Sequence, residues 1–214
     1  MQVTHFGHSC VLLDTGAARL LIDPGTFSTG FEGVTGLDAV LVTHQHPDHL
    51  DPERLPAVLR ANPDARLIVD SGTAGQLDGM QLGDVAHETV EPGTTVPVGG
   101  ATVQVLGGQH AVIHPDIPVI PNNAYLVDGT HMHPGDSITV VPAEPLDVLF
   151  LPATAPWEKL SETVDYLRQV APRTAVPIHQ GMLAITTVYY TQLDHLGPEK
   201  TTFRPLDPGT PVTL

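Results

Sequence analysis

Apolar positions in this chain come in short runs, each cut off by glycine, proline or acidic residues. Most such runs are too short for helices and read as strands. Residues 2–14 predict two short strands around the turn His5-Phe6-Gly7-His8. Residues 18–23, ARLLID, give a third strand that Pro24-Gly25 ends. The stretches DAVLV (38–42) and RLIV (66–69) are continuously apolar after their first residue, as expected of strands buried on both faces. A helix is predicted after Pro52, with Leu55, Val58 and Leu59 on one face, and a short one over 72–78. Residues 85–107 alternate as a β-meander, and Asp128-Gly129 within NAYLVDGTHM marks a hairpin. Residues 147–151, DVLFL, give another buried strand, and TAVPI (174–178) a strand running into His179. Trp157, Leu160, Val164, Leu167 and Ala171 fall at helical spacing and predict a helix over 157–171.

One internal echo organises these elements. LDAVLV (37–42) and LDVLFL (146–151) are each followed by a loop and a helix. Two β-loop-α units, each preceded by antiparallel strands, predict two sheets covered by outer helices, an α/β layered fold. A length of 214 residues suits one domain over residues 1–214, or two intimately packed halves.

Charge narrows the function classes. Nine Lys and Arg against 24 Asp and Glu give a formal net charge of -15, and no basic cluster occurs. Such a surface repels phosphate backbones, so no nucleic-acid partner is expected. No run approaches the roughly 18 apolar residues of a membrane span, and MQVTHFGHSC is not built like an export signal. The expectation is a cytoplasmic protein with no membrane partner; its oligomeric state is open. The single cysteine, Cys10, lies among Val11, Leu12 and Leu13 and reads as a buried strand thiol.

The candidate chemistry is concentrated in THQHPDHLD, residues 43–51. The strand ending at Val42 delivers His44 and His46 to a sheet edge, where an extended backbone lets both reach one cation. Pro47 stiffens the turn, and Asp48 and His49 leave it at another angle, toward a second cation or a bound water. Neutral imidazole and carboxylate suit zinc; manganese or iron fits the same donors. More ligands must come from elsewhere. His110, Asp136 and His179 each follow an apolar strand, and strand ends meeting at one edge would gather them.

HQHPDH resembles the HxHxDH signature of the metallo-β-lactamase fold superfamily, and the isolated His110, Gly135-Asp136 and His179 follow in that family's order. GHSCVLLD, HPGDS and PIHQG look most like the branch of L-ascorbate-6-phosphate lactonase-like hydrolases. The resemblance implies an αββα four-layer sandwich with two metals at one edge. His44, His46 and His110 would hold the first metal, Asp48, His49 and His179 the second, and Asp136 would bridge them. A metal-bound hydroxide would attack an ester, lactone or related bond in a small-molecule substrate, with Asp48 and Asp136 as the catalytic carboxylates. An Asp at the bridging position, where β-lactamases of this fold use cysteine, weighs against antibiotic hydrolysis. His46, where oxygen-reducing diiron members carry a carboxylate, weighs against redox chemistry. A small-molecule phosphodiesterase on the same fold stays open, as does a non-catalytic metal-binding module.

Other histidines are weighed singly. His8, in the first hairpin turn, either reaches over the metal edge to the substrate or holds the turn by a hydrogen bond. His133, three residues before Asp136, is a candidate for the substrate pocket rim or for a supporting place behind the ligands, and His114 for the pocket rim or a solvated loop. His5 reads as a strand residue, and His87 and His195 as exposed. Trp157 is either helix-start core or an apolar pocket wall.

Overall fold

The computed structural model describes residues 1–80 and 85–214. In chain order the strands are β1 (Gln2–His5), β2 (Val11–Asp14), β3 (Arg19–Ile22), β4 (Ala39–Val42), β5 (Arg66–Val69), β6 (Glu88–Thr89), β7 (Thr95–Val98), β8 (Ala101–Gln109), β9 (Pro121–Val127), β10 (His131–His133), β11 (Val148–Pro152), β12 (Thr174–Ile178), β13 (Thr202–Phe203) and β14 (Val212–Thr213). The helices are α1 (Leu55–Ala61), α2 (Ser71–Gly79), α3 (Leu160–Val170) and α4 (Thr187–Leu196).

Two seven-stranded mixed sheets result, ordered β14-β1-β2-β3-β4-β5-β6 and β13-β12-β11-β10-β9-β8-β7. Each begins with antiparallel pairs and continues parallel, at β3-β4-β5 in the first and β10-β11-β12 in the second. The repeated LDxxLx motif therefore marks equivalent strands, β4 and β11.

Alternation within β4 sets the layers. Ala39 and Leu41 join a core that also holds Val103, Tyr125, Phe150 and Val176 of the second sheet. Val40 and Val42 point the other way and pack with Leu55 and Val58 of α1 and Leu77 of α2. A third cluster places Leu149 and Leu151 of β11 against Val164 and Leu167 of α3 and Leu193 of α4. The order is helix, sheet, sheet, helix: the expected αββα sandwich.

Two expectations need correction. The segment 85–107 is not one meander, because β6 pairs parallel with β5 in the first sheet whereas β7 and β8 belong to the second. Pro92-Gly93, with Gly93 at φ +92°, turns the chain from one sheet to the other. The helix predicted from Trp157 begins at Leu160. Lys159 is extended, and the Glu162 carboxylate accepts its backbone N–H at 2.8 Å, so the helix is capped there.

The sheets are also joined by hydrogen bonds at one edge. The Tyr125 hydroxyl donates to Val42 O at 2.8 Å, and the Asn123 N–H to Thr43 O at 2.8 Å. Among the described residues no helix is long and apolar enough to cross a membrane.

Candidate metal centre

Strand ends converge where those inter-sheet bonds lie. His44 follows β4, His110 follows β8, Asp136 lies three residues beyond β10, and His179 follows β12. His8 arrives from the β1–β2 turn. Two groups form whose donor atoms lie within 4.8 Å of one another: His44, His46, His110 and Asp136, and His8, Asp48, His49 and His179.

Asp136 stands between them. Its Oδ1 is 3.0 Å from His49 Nε2, and its Oδ2 is 3.2 Å from His110 Nε2 and 3.3 Å from His179 Nε2. Asp48 Oδ2 is 3.4 Å from His179 Nε2. His44 Nε2 and His46 Nδ1 face each other at 3.0 Å. Both groups thus draw donors from both sheets.

Backbone and side-chain acceptors on the far side of each ring fix which nitrogen faces inward. His110 Nδ1 donates to Ala111 O at 2.6 Å, and His179 Nδ1 to Thr154 O at 2.7 Å. His49 Nδ1 donates to Asp23 Oδ2 at 2.7 Å. The Thr43 hydroxyl donates to the same Asp23 oxygen at 2.7 Å and accepts from His44 Nδ1 at 3.0 Å. With Nδ1 committed in each case, Nε2 is the inward-facing nitrogen, the arrangement that orients imidazole toward a cation.

The residues fit such a cation. His110 Nε2, His179 Nε2 and Asp136 Oδ1 are buried with no hydrogen-bond partner. Each lies close to neighbouring donors, but none of those contacts has hydrogen-bond geometry. Buried polar atoms left this way are costly unless something else satisfies them. A mixed imidazole and carboxylate set suits zinc, manganese or iron.

Electrostatics agree. Burial works to raise the Asp136 carboxyl, but the His49, His179 and His44 rings overcome it and hold the group well below the carboxylate range. Burial likewise opposes ionisation of Asp48, and the adjacent His179 and His8 rings override it. Burial alone would lower His179; the nearby Asp136 carboxylate outweighs it and brings the ring to about 10. The cluster gathers positive charge around two carboxylates, the role divalent cations can take over.

Of the remaining candidates, His8 joins the second group, and His133, His114 and Trp157 lie outside both. His8 is buried; its Nε2 donates to Asp48 Oδ2 at 3.0 Å and its Nδ1 accepts the Gly181 N–H at 3.1 Å. Burial lowers it to about 4, so it is neutral. His133 lies behind the site, not at its rim: fully buried, with Nε2 on Ser9 O at 2.9 Å and Nδ1 3.8 Å from Asp23. The His114 side chain is 60% exposed and its Nδ1 accepts the Asp116 N–H at 3.1 Å. Trp157, just before α3, packs edge-on against His110 at 5.6 Å between ring centres and lies 6.3 Å from His179.

Sequence reasoning missed the supports. Asp23 is fully buried, sits at φ +51° and ties His49 to Thr43 through both carboxylate oxygens. Gly25 passes so close to the HQHPDH loop that a Cβ there would stand 1.8 Å from Asp48 O. The only written signal was Asp-Pro-Gly after a buried strand, which reads as an ordinary turn.

Comparison with known proteins agrees with this architecture. The family model described as "Beta-lactamase superfamily domain" matches residues 2–179. Protein Rv0786c of Mycobacterium tuberculosis is 53% identical over the whole of both chains. The UPF0173 protein PYRAB01190 of Pyrococcus abyssi is 27% identical, covering 85% of this chain and 84% of its own. Igni18, a metallo hydrolase of Ignicoccus hospitalis, superposes with a TM-score of 0.75 at 18% identity, covering 99% of this chain and 97% of its own. These similarities set the chain beside the UPF0173 proteins.

Proposed function

The chain belongs to the metallo-β-lactamase superfamily, and we propose that it is a hydrolase dependent on two divalent metal ions, cleaving an ester, lactone or related bond in a small molecule. The observation that carries this reading is the convergence of inward-facing nitrogens on Asp136 with unpartnered buried atoms among them. His44, His46 and His110 would hold one ion, Asp48, His49 and His179 the other, with Asp136 shared. When bound, such a pair supplies Lewis acidity toward water and toward the oxygen under attack.

The chain's own groups do the rest. Asp136 and Asp48, both held ionised, are the catalytic carboxylates, placed to accept hydrogen bonds from a water in the site and to orient it. His8 fixes Asp48 from behind. Asp23 fixes the position of His49, and His133 lies beside Asp23, an indirect role for His133 in place of substrate contact. The rigid strand ends set the geometry before substrate arrives, so little reorganisation is needed during reaction. His114 is left for the outer rim, on the loop that follows His110.

The test is metal content per chain, by elemental analysis of protein purified without chelator, beside Asp136→Ala. About two ions of zinc, manganese or iron in the parent and clearly fewer in the variant are expected. A parent that binds no ion after reconstitution would overturn the reading. A chromogenic phosphodiester assayed beside lactones, esters and thioesters identifies the bond class.

A further inference from the structure

The mouth of the metal edge differs in character from its floor. Val112 and Ile113 lie two and three residues after His110, and Met182 and Ile185 three and six residues after His179. All four are exposed, Val112 at 58% and Ile185 at 65%. Phe27 is 51% exposed and packs edge-on against His8 at 5.1 Å. The turn at Gly181 closes on both, since a Cβ there would meet His8 Nδ1 at 2.9 Å and Phe27 Cβ at 3.4 Å. Trp157 adds an aromatic wall over His110 and His179. Isolated exposed apolar residues are ordinary, but a group on the loops around one reactive edge marks a binding surface.

The same edge lacks cations. No Lys or Arg occurs in residues 1–18, 20–53, 107–137 or 174–199, the segments that carry every donor and also Phe27, Val112, Ile113, Met182 and Ile185. Arg54, just past the HQHPDH loop, is committed to Asp51 at 2.5 Å, to Glu32 at 2.6 Å and to the Gly25 and Ser28 carbonyls. Lys159, beside the Trp157 wall, lies 3.5 Å from Glu162. Those segments hold no side-chain cation to neutralise a charged tail, and the chain's net charge of -15 repels an anionic one.

We propose that this apolar rim binds an uncharged alkyl, acyl or aryl portion of the substrate, so that the molecule cleaved is a neutral, hydrophobic ester or lactone and not a phosphorylated or polycarboxylate one. The inference rests on the hydrolase reading above for which bond lies over the ions. The rim itself supplies the binding: apolar contact along Val112, Ile113 and Ile185, with Phe27 beside His8 and Trp157 beside His110 as aromatic surfaces. Specificity is then set by tail length and neutrality.

Equilibrium binding tests this without turnover. Calorimetric or Trp157-fluorescence titrations would use n-alkyl amides from two to eight carbons, on zinc-reconstituted and on metal-free protein. Burying one methylene tightens binding about fourfold, so a stepwise gain with chain length is expected in both forms. A carboxylate at the far end of the eight-carbon chain should remove most of that gain. Val112→Ser with Ile185→Ser, both at exposed positions, should flatten the series. A flat series in the parent, or tighter binding of the chain ending in a carboxylate, overturns the proposal. So does a dimer in sedimentation that the double variant converts to monomer, since the face would then serve a second copy of the chain. Ester hydrolysis is read separately. Length-dependent amide binding with no hydrolysis of any ester, lactone or thioester retires the hydrolase reading and leaves the apolar site standing. Hydrolysis without length dependence does the reverse.

Discussion

His8 Nε2 donates to Asp48 Oδ2 across 3.0 Å, although the two residues are 40 positions apart in the chain. The His8 backbone is left-handed at φ +47°, an uncommon conformation outside glycine, and its ring is clamped from the other side by the Gly181 N–H. A strained turn thus aims one neutral imidazole at one carboxylate. We expect His8→Ala to weaken the second ion about 10- to 100-fold, the usual cost of losing an orienting partner, and to leave the first ion in place. Chelator-competition titration measures this. His8→Gln keeps a donor and should recover part of the affinity; two equally tight ions in His8→Ala would show that Asp48 needs no such support.

Asp23 serves the site from deeper in. It accepts the Thr43 N–H at 2.7 Å and the His49 Nδ1–H at 2.7 Å in a fully buried position. Asp23→Ala strips the counter-charge from a histidine that Asp136 and Asp23 raise well above its usual range against the effect of burial. The expected loss is about 3 kcal/mol, a fall in Tm of roughly 6–12 °C for a chain of this size. Thermal melts of metal-free protein check it, and an unchanged Tm would deny Asp23 this role.

His131 gives a pH dependence away from the ions. Burial lowers it from 6.5 to about 4, so between those values the unfolded chain takes up a proton that the folded chain refuses. Stability is therefore complete above pH 6.5 and falls as pH drops toward 4. His131→Gln should lose less stability than the parent between pH 7 and pH 5 in urea titrations. Parallel losses would mean that the ring ionises freely in the fold.

Glu158 works in the opposite sense. Burial raises its carboxyl from 4.5 to about 8, and one of its oxygens has no partner. The folded chain keeps a proton that the unfolded chain releases, so stability falls as pH rises from 4.5 through 8. Glu158→Gln cannot ionise. In chelator-treated protein it should exceed the parent at pH 7.5 by about 2 kcal/mol, roughly 4–8 °C in Tm, and by little at pH 5. Equal melts at both pH values would place the proton elsewhere.

The seven candidate donors were legible because four crowd the HQHPDH loop after β4 and the other three lie within three residues of a strand end, where side chains of both sheets can meet. Their supports were not. Asp23 is one of 24 acidic residues, and only packing between β3 and β4 buries it. Thr43 counts as an ordinary residue until its hydroxyl is seen relaying between Asp23 and His44. His133 and His114 look alike as histidines before proline, yet β10 pairing sinks the first and a surface loop exposes the second. The path of β6 into the first sheet was hidden because a two-residue strand carries almost no periodicity.

The way the two donor groups are shared between the sheets has a mechanical meaning. Neither sheet owns a complete ion site: His44 and His46 need His110 and Asp136 from across the core, and Asp48 and His49 need His179. An ion held in either group would be a rivet through two plates already stitched by Tyr125 and Asn123. Pulling the plates apart would require emptying both rivets and freeing β14, which returns from the end of the chain to pair with β1 of the first plate.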